Sequence, residues 1–374
     1  MLHARGKGID HVWCHLWPRV RRFAEARCVA PVEMADDPLV GRLVSPVDPL
    51  PDPNRRENAE ALVRGLVARG TEVVVPQISM DLCRHLDFFD EVLARLGRSG
   101  VAVVATLHNV LPHDTFAVDR AALAALYARC DAYLVGNEAQ RDLLHEHFDV
   151  GERPVAVGRH GPSVALDLGR FGRAGARRHL GLPESAPIVL FFGNTRPNRG
   201  VDLLIGAAPH LRELRPDAWI HVSTNAGLPR PEEAEPILTA LRAFGAGPGI
   251  RVRLGLVPSE EIEPTFRACD VVALPYHAVS QSGLLGMARA FRRPVVATDV
   301  FRGVERLAPG EGRIVAARDP RAFAEGLAAQ LADPTPPPAP DPTVWDEHAH
   351  ALERVCRAVL SRRVWRPGAR VGSG

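Results

Sequence analysis

The sequence predicts an α/β protein made of two doubly wound parallel sheets in tandem, two Rossmann-like domains facing across a cleft. Three observations carry this expectation. From residue 70 onward short β-branched runs alternate with longer amphipathic patterns, the series restarts near residue 188, and a glycine- and arginine-rich stretch separates the two series.

The elements follow in chain order. In the first series the strands are TEVVVPQ (71–77), VAVVATL (101–107), DAYLVG (131–136) and PVAVG (154–158). They are preceded by a helix with Ala59, Leu62, Val63, Leu66 and Val67 on one face and a stop at Gly70. The second series reads IVLFFG (188–193), AWIHVS (218–223), IRVRLGL (250–256), DVVALPY (270–276), PVVAT (294–298) and RIVAA (313–317). The junction is expected within 165–185, giving an N-terminal Rossmann-like domain over 41–178 and a C-terminal Rossmann-like domain over 179–343. The run DPTPPPAPDPT (333–343) is too rich in proline for helix or strand. A helical period resumes over 344–364, a helix expected to pack back on the first domain. Residues 1–40 show no element and are left unassigned as an N-terminal extension.

With 374 residues, 46% of them hydrophobic and 24% charged, the chain has ample material for two cores. Its 46 Lys+Arg against 44 Asp+Glu give a net charge of +2, so no global basic field points to nucleic acid. Lys7 is the sole lysine, which argues against a P-loop, a Schiff base or a pyridoxal site. The six cysteines are scattered without a C-x-x-C pair, which fits a reducing cytoplasm better than a disulfide framework or a zinc site. No leader-like apolar core opens the sequence, and no run of 18 apolar residues follows. Membrane contact is therefore expected to be peripheral at most, through Arg19, Arg21 and Arg22 near Trp17 and Phe23, or absent if that segment is simply solvated.

Three loops carry the candidate chemistry. FFGNTRPNRGVDLL runs from a strand through Gly193 and Asn194 into a helix, which presents free amides and a helix dipole to an anion, with Arg196 and Arg199 as fixed cations. The alternative is a solvated turn. Ser280, Gln281, Ser282 and Gly283 precede a second apolar helix and would aim amides at the same anion, or serve as a plain N-cap. In TLHNVLPHD, His108 and Asn109 close a strand where parallel sheets bind ligands, and His113 with Asp114 could move a proton. Surface histidines would explain this loop equally. His160 closes the strand 154–158 in the same manner. No Asp-x-Asp closes a strand to hold a divalent ion, so no metal and no cofactor is expected. G-x-G-x-x-G, G-x-x-x-x-G-K-[ST], H-E-x-x-H and G-x-S-x-G are all missing from the sequence, which disfavours dehydrogenases, NTPases, zincins and serine hydrolases.

At these residues, from about Asn54 to Leu360, the sequence resembles the family-4 glycosyltransferases of GT-B architecture. These are retaining enzymes that use nucleotide-diphosphate sugars as co-substrates. LFFGNTRPNRGVDLLI resembles the family's diphosphate loop, with Arg196 at the family arginine and Arg199 where a lysine usually stands. ACDVVALPY, RPVVATDVFRGVERL, TLHNVLPHD and VGRHG resemble further family segments in the same order. Many members carry two glutamates that would fall at Val279 and Met287 here, and the SQSG form resembles a subgroup without that pair.

The resemblance implies catalytic roles for Arg196, Arg199 and His108, a nucleotide-sugar donor domain in the second series with donor-binding residues Gly193, Asn194, Gln281, Ser282, Gly283 and Glu305, and an acceptor domain in the first. It also implies cleft residues His108, Asn109, His113 and His160, and transfer to a hydroxyl of a glycan, lipid-linked or natural-product acceptor. A catalytically degenerate GT-B protein that binds a nucleotide sugar for a partner is the alternative. A sugar-nucleotide epimerase would need more cleft carboxylates than these loops supply.

Overall fold

The computed structural model describes residues 2–3, 7–31, 36–79, 85–111, 119–225, 231–279, 281–302, 304–333 and 335–364. The chain divides into two compact units, one of residues 1–160 with 343–374 and one of residues 161–342.

In the first unit, strands β1 (Leu2–His3), β2 (Cys28–Ala30), β3 (Val47–Pro49), β4 (Val73–Val74), β5 (Pro76–Ile78), β6 (Ala102–Leu107), β7 (Ala132–Val135) and β8 (Val155–Val157) form one parallel sheet. The order is β3-β2-β1-β5-β6-β7-β8, with β4 also paired to β6. Pro76 has no N–H to give to the ladder. The expected continuous strand over 71–77 accordingly breaks at Val75, β4 pairing at Ala102 and Val103 and β5 at Thr106 and Leu107. Phe88, Phe89, Val92, Leu93 and Leu96 of the helix Leu86–Arg98 cover one face. Asp119 and Asn137 cap their helices by accepting from Ala121 N–H and Gln140 N–H.

One expectation is corrected here. Residues 1–40 are no extension, because β1 and β2 belong to this sheet and the helix Lys7–Val20 packs on the helix Val344–Val364. The pattern escaped detection because the strands are two and three residues long and the helix buries His11 and His15 beside Trp13 and Trp17. Part of the basic-aromatic patch is used internally, while Arg21 and Arg22 are exposed. Trp17 is buried and donates Nε1–H to Ser45 O at 3.1 Å, while Arg19 pairs with Asp346 at 2.9 Å. Among the described residues no helix is long and apolar enough to cross a membrane.

The second unit holds β9 (Ile188–Asn194), β10 (Trp219–Asn225), β11 (Ile250–Leu254), β12 (Val271–Leu274), β13 (Val295–Thr298) and β14 (Gly312–Val315). All are parallel, in the order β11-β10-β9-β12-β13-β14. That order reverses between β9 and β12, the switch point at whose carboxyl end doubly wound sheets bind ligands. Leu203, Leu204, Ala207 and Leu211 of the helix Val201–Leu214 and Phe323, Ala324 and Leu327 of the helix Pro320–Leu331 fill the core beside the sheet. Full burial of each leucine or phenylalanine is worth about 1.5–3 kcal/mol.

The boundary also differs from expectation, since residues 161–178 belong to the second unit. Arg170 donates to Glu263, a carboxylate with no exposed surface. Arg177, also with no exposed side-chain surface, binds Asp270 at 2.7 Å and the carbonyls of Ala268, Glu184 and Ala186. Arg177, within the expected junction, is thus a core residue.

Candidate functional site

The crevice of the second unit starts at the end of β9. Gly193 has φ +104°, a conformation L side chains rarely adopt, and a Cβ there would lie 3.6 Å from Leu284 Cδ1. Conformation rather than space requires the glycine. Two residues on, Thr195 donates both N–H and hydroxyl to Asn225 O, at 3.0 and 2.9 Å. Arg196 then leads, in extended backbone, into the short turn Pro197–Arg199.

Gly200 closes this loop at φ +67°, and a Cβ on it would stand 1.8 Å from the carbonyl oxygen of Pro275. Only glycine lets the loop after β9 meet the loop after β12 so closely. Asn198 O accepts from His277 N–H at 2.9 Å, and Thr298 donates its hydroxyl to Tyr276 O at 2.6 Å. His277 Nε2 lies 3.0 Å from both carboxylate oxygens of Asp202. Arg199 donates to the Tyr276 hydroxyl and stacks over its ring, 4.6 Å from the centroid. Tyr276, expected within a strand, is thus a loop residue that fixes a cation. Asn198 and Asn225 each keep a buried side-chain oxygen without a hydrogen-bond partner among the described residues. Such acceptors suit ligand hydroxyl or N–H donors.

The second candidate loop reaches the same place. Ser282 caps the helix Gly283–Ala290, its Oγ accepting from Leu285 N–H at 3.4 Å. The contact between Leu284 and Gly193 sets this helix start beside the end of β9. Glu305, a candidate ligand group, instead accepts from Ser282 N–H at 3.0 Å and lies 3.8 Å from Arg289, which also binds Glu311 at 2.8 Å. Burial pushes the Glu305 carboxyl above the usual carboxylate range, with the Ser282 amide and Arg289 opposing. The expectation that Ser282 offers its amide to an anion is therefore corrected. Among the described residues the amides of Gly283 and Leu284 are the ones left without a partner at this end. Asn194, in register with Asn225, and Gln281 are half-buried beside them.

In the first unit, His108 follows β6 and continues its ladder by donating N–H to Ile78 O at 3.0 Å. Its Nε2 lies 2.9 Å from Gln77 Oε1. The next residue, Asn109, has its carbonyl 3.5 Å from the Tyr127 hydroxyl. His160, just past β8, stands 5.9 Å from His108, 5.6 Å from Trp345 and 5.6 Å from His348, centroid to centroid. Trp345 stacks on His15 at 4.9 Å. His113, Asp114 and Ser280 lie outside the described residues.

This histidine cluster has a consequence for stability. Burial is the main cause that holds His15 at about 3 and His348 at about 4, and it holds His160 well below its ordinary value. Depressed folded-state values mean that the unfolded chain binds more protons once the pH is below the unfolded value of about 6.5. The contribution is complete above that pH and is lost as the pH falls towards the folded values. Each histidine should cost on the order of 1 kcal/mol per pH unit in that window. Calorimetry from pH 7 to 4.5 should show a falling unfolding temperature for wild type and a shallower fall for His348→Gln. Parallel curves would remove the cluster as the cause.

These two doubly wound parallel units constitute the GT-B fold. Residues 186–333, which include all six strands of the second sheet, match the family described as Glycosyl transferases group 1. The D-inositol 3-phosphate glycosyltransferase of Corynebacterium efficiens is 34% identical over 218 residues, 54% of this chain and 51% of that protein. D-inositol 3-phosphate glycosyltransferase 1 of Catenulispora acidiphila is 31% identical over 250 residues, 63% and 59% of the two chains. The chain spans about half the length of the curated relatives it matches. Two solved structures share the fold over nearly the whole chain. Sucrose-phosphate synthase of Thermosynechococcus elongatus has a TM-score of 0.64 at 16% identity, covering 98% of this chain and 96% of its own. HepE of Anabaena, solved with UDP-glucose, has a TM-score of 0.69 at 14% identity, covering 97% of each.

Proposed function

We propose that the protein is a retaining glycosyltransferase that moves a sugar from a nucleotide-diphosphate donor to an acceptor hydroxyl. The observation that carries this reading is the meeting, at the point where the second sheet's order reverses, of the Gly193–Gly200 loop, its two arginines and the amino end of the helix Gly283–Ala290. As the bond to the diphosphate breaks, negative charge grows on the leaving phosphate. Cations and amides already fixed there stabilise the transition state more than the ground state. Arg196 and Arg199 supply the cations, and the Gly283 and Leu284 amides add the helix dipole. Attack and departure on one face let the leaving phosphate take the acceptor's proton, so no protein nucleophile is required. His108, at the carboxyl edge of the first sheet, contacts a sugar hydroxyl. Glu305 acts one step back by holding the helix that offers the amides.

A panel of nucleotide sugars, each with sugar and glycan acceptors, tests the reading through release of nucleoside diphosphate. Stoichiometric release and glycosylated product are expected. Binding without release would favour the non-catalytic partner reading, for which Val279 and Met287 in place of the family's glutamates are the argument.

Turnover should also survive chelation, since the arginines and the helix dipole supply the charge that a divalent ion would otherwise bring. Rates in EDTA are expected within about twofold of those without it. Activity lost in EDTA and restored by Mg²⁺ or Mn²⁺ would assign that role to a metal.

A further inference from the structure

We infer that Gln77 is a positioning residue that sets the tautomer and ring orientation of His108, an inference that rests on placing His108 in the sugar-transfer site. Gln77 has no exposed surface. It sits on β5 between β1 and β6, opposite His3 on one side and Thr106 on the other. Such a place suits an aliphatic residue, because an amide buried there costs free energy unless both its ends find partners.

Both ends are engaged. The Gln77 amide nitrogen points at Val75 O, 3.4 Å away, and its oxygen faces His108 Nε2 at 2.9 Å. Turning the amide over would set two oxygens against each other at Val75, so the oxygen is the atom that faces His108. An amide oxygen only accepts, so His108 Nε2 carries the proton and donates it. In the neutral ring the lone pair then resides on Nδ1. The other flank of the ring is closed by His160, backed by Trp345 and His348, with His15 beyond the tryptophan. The hydrogen bond to Gln77 and this packed wall together orient the His108 ring. Tautomer control of this kind acts through the histidine, without contact between Gln77 and substrate.

The test is the imidazole nitrogen spectrum of the full chain labelled with ¹⁵N-histidine, in which the resonances lost in His108→Ala are those of His108. Wild type should show the Nε2–H tautomer. Gln77→Met, which conserves volume, should convert His108 to a mixture or to the Nδ1–H form, and kcat for nucleoside diphosphate release from UDP-glucose should fall about 10-fold with KM changed less. Gln77→Glu, closest in shape, should turn His108 into imidazolium at a pH where wild type is neutral. It gives the answer even if the methionine variant does not fold. A wild-type Nδ1–H tautomer, or His108 signals unchanged in both variants, would overturn the inference. If the spectra change as expected but His108→Ala releases UDP at the wild-type rate, the tautomer control stands and the placement of His108 in the site falls.

Discussion

Replacing Arg196 with alanine is expected to lower kcat by roughly 10²–10³ while raising KM for the donor far less. Charge on the leaving diphosphate grows along the reaction coordinate, so a guanidinium beside it interacts most strongly at the transition state. Losing a charge-assisted contact of that kind costs on the order of 2–4 kcal/mol, by comparison with removal of one oxyanion-hole donor. The backbone at Arg196 is held from both sides. Thr195 is tied to Asn225, and the turn after it is locked by Gly200 against Pro275. The side chain can therefore be removed without loss of the loop. Arg199→Lys should be milder, because a point charge still serves a phosphate, although the planar stack on Tyr276 is lost. Steady-state kinetics of both variants provide the check. A raised KM with kcat intact would make Arg196 a ground-state anchor, and wild-type behaviour in both would reduce the loop to a surface turn.

The second large effect is on stability, at the opposite edge of the same sheet. Arg177→Met should destabilise the second unit by about 3–5 kcal/mol, the range for removing one partner of a buried ion pair. Asp270 would keep its bonds to Ile188 N–H and to Arg173, but the carbonyls of Ala268, Pro183, Glu184 and Ala186 would lose this donor. Denaturant titration followed by a probe in residues 161–342 measures this. A change below about 1 kcal/mol would place Arg177 among exposed pairs of little worth.

The contrast between these two arginines shows what a sequence discloses. Strands β9 to β14 were legible because parallel strands covered on both faces are near-continuous β-branched runs. The glycine-arginine loop was legible because a strand ending in glycine before a helix has few other uses. Arg177 was not, because GRAGARRHL reads as polar and its partners, Asp270 and the Ala268 carbonyl, are some ninety residues away. A separation of 31 residues likewise hid Gln77, which lies within a strand-like run and meets His108 only across the sheet. Gly200 was visible as a glycine, whereas its reason, the Pro275 carbonyl, belongs to another loop. Local signals fixed the elements, and contacts distant in sequence assigned the roles.

The central claim is that a nucleoside diphosphate binds at the crevice of the second unit. Hydrogen exchange of the full chain with UDP, GDP and ADP in turn tests it most directly. At least one of them should slow exchange at the amides of residues 193–200 and 283–286, and Arg196→Ala should weaken this protection. Protection confined to residues 1–160, or protection of the second unit that leaves both of these segments untouched, would contradict it.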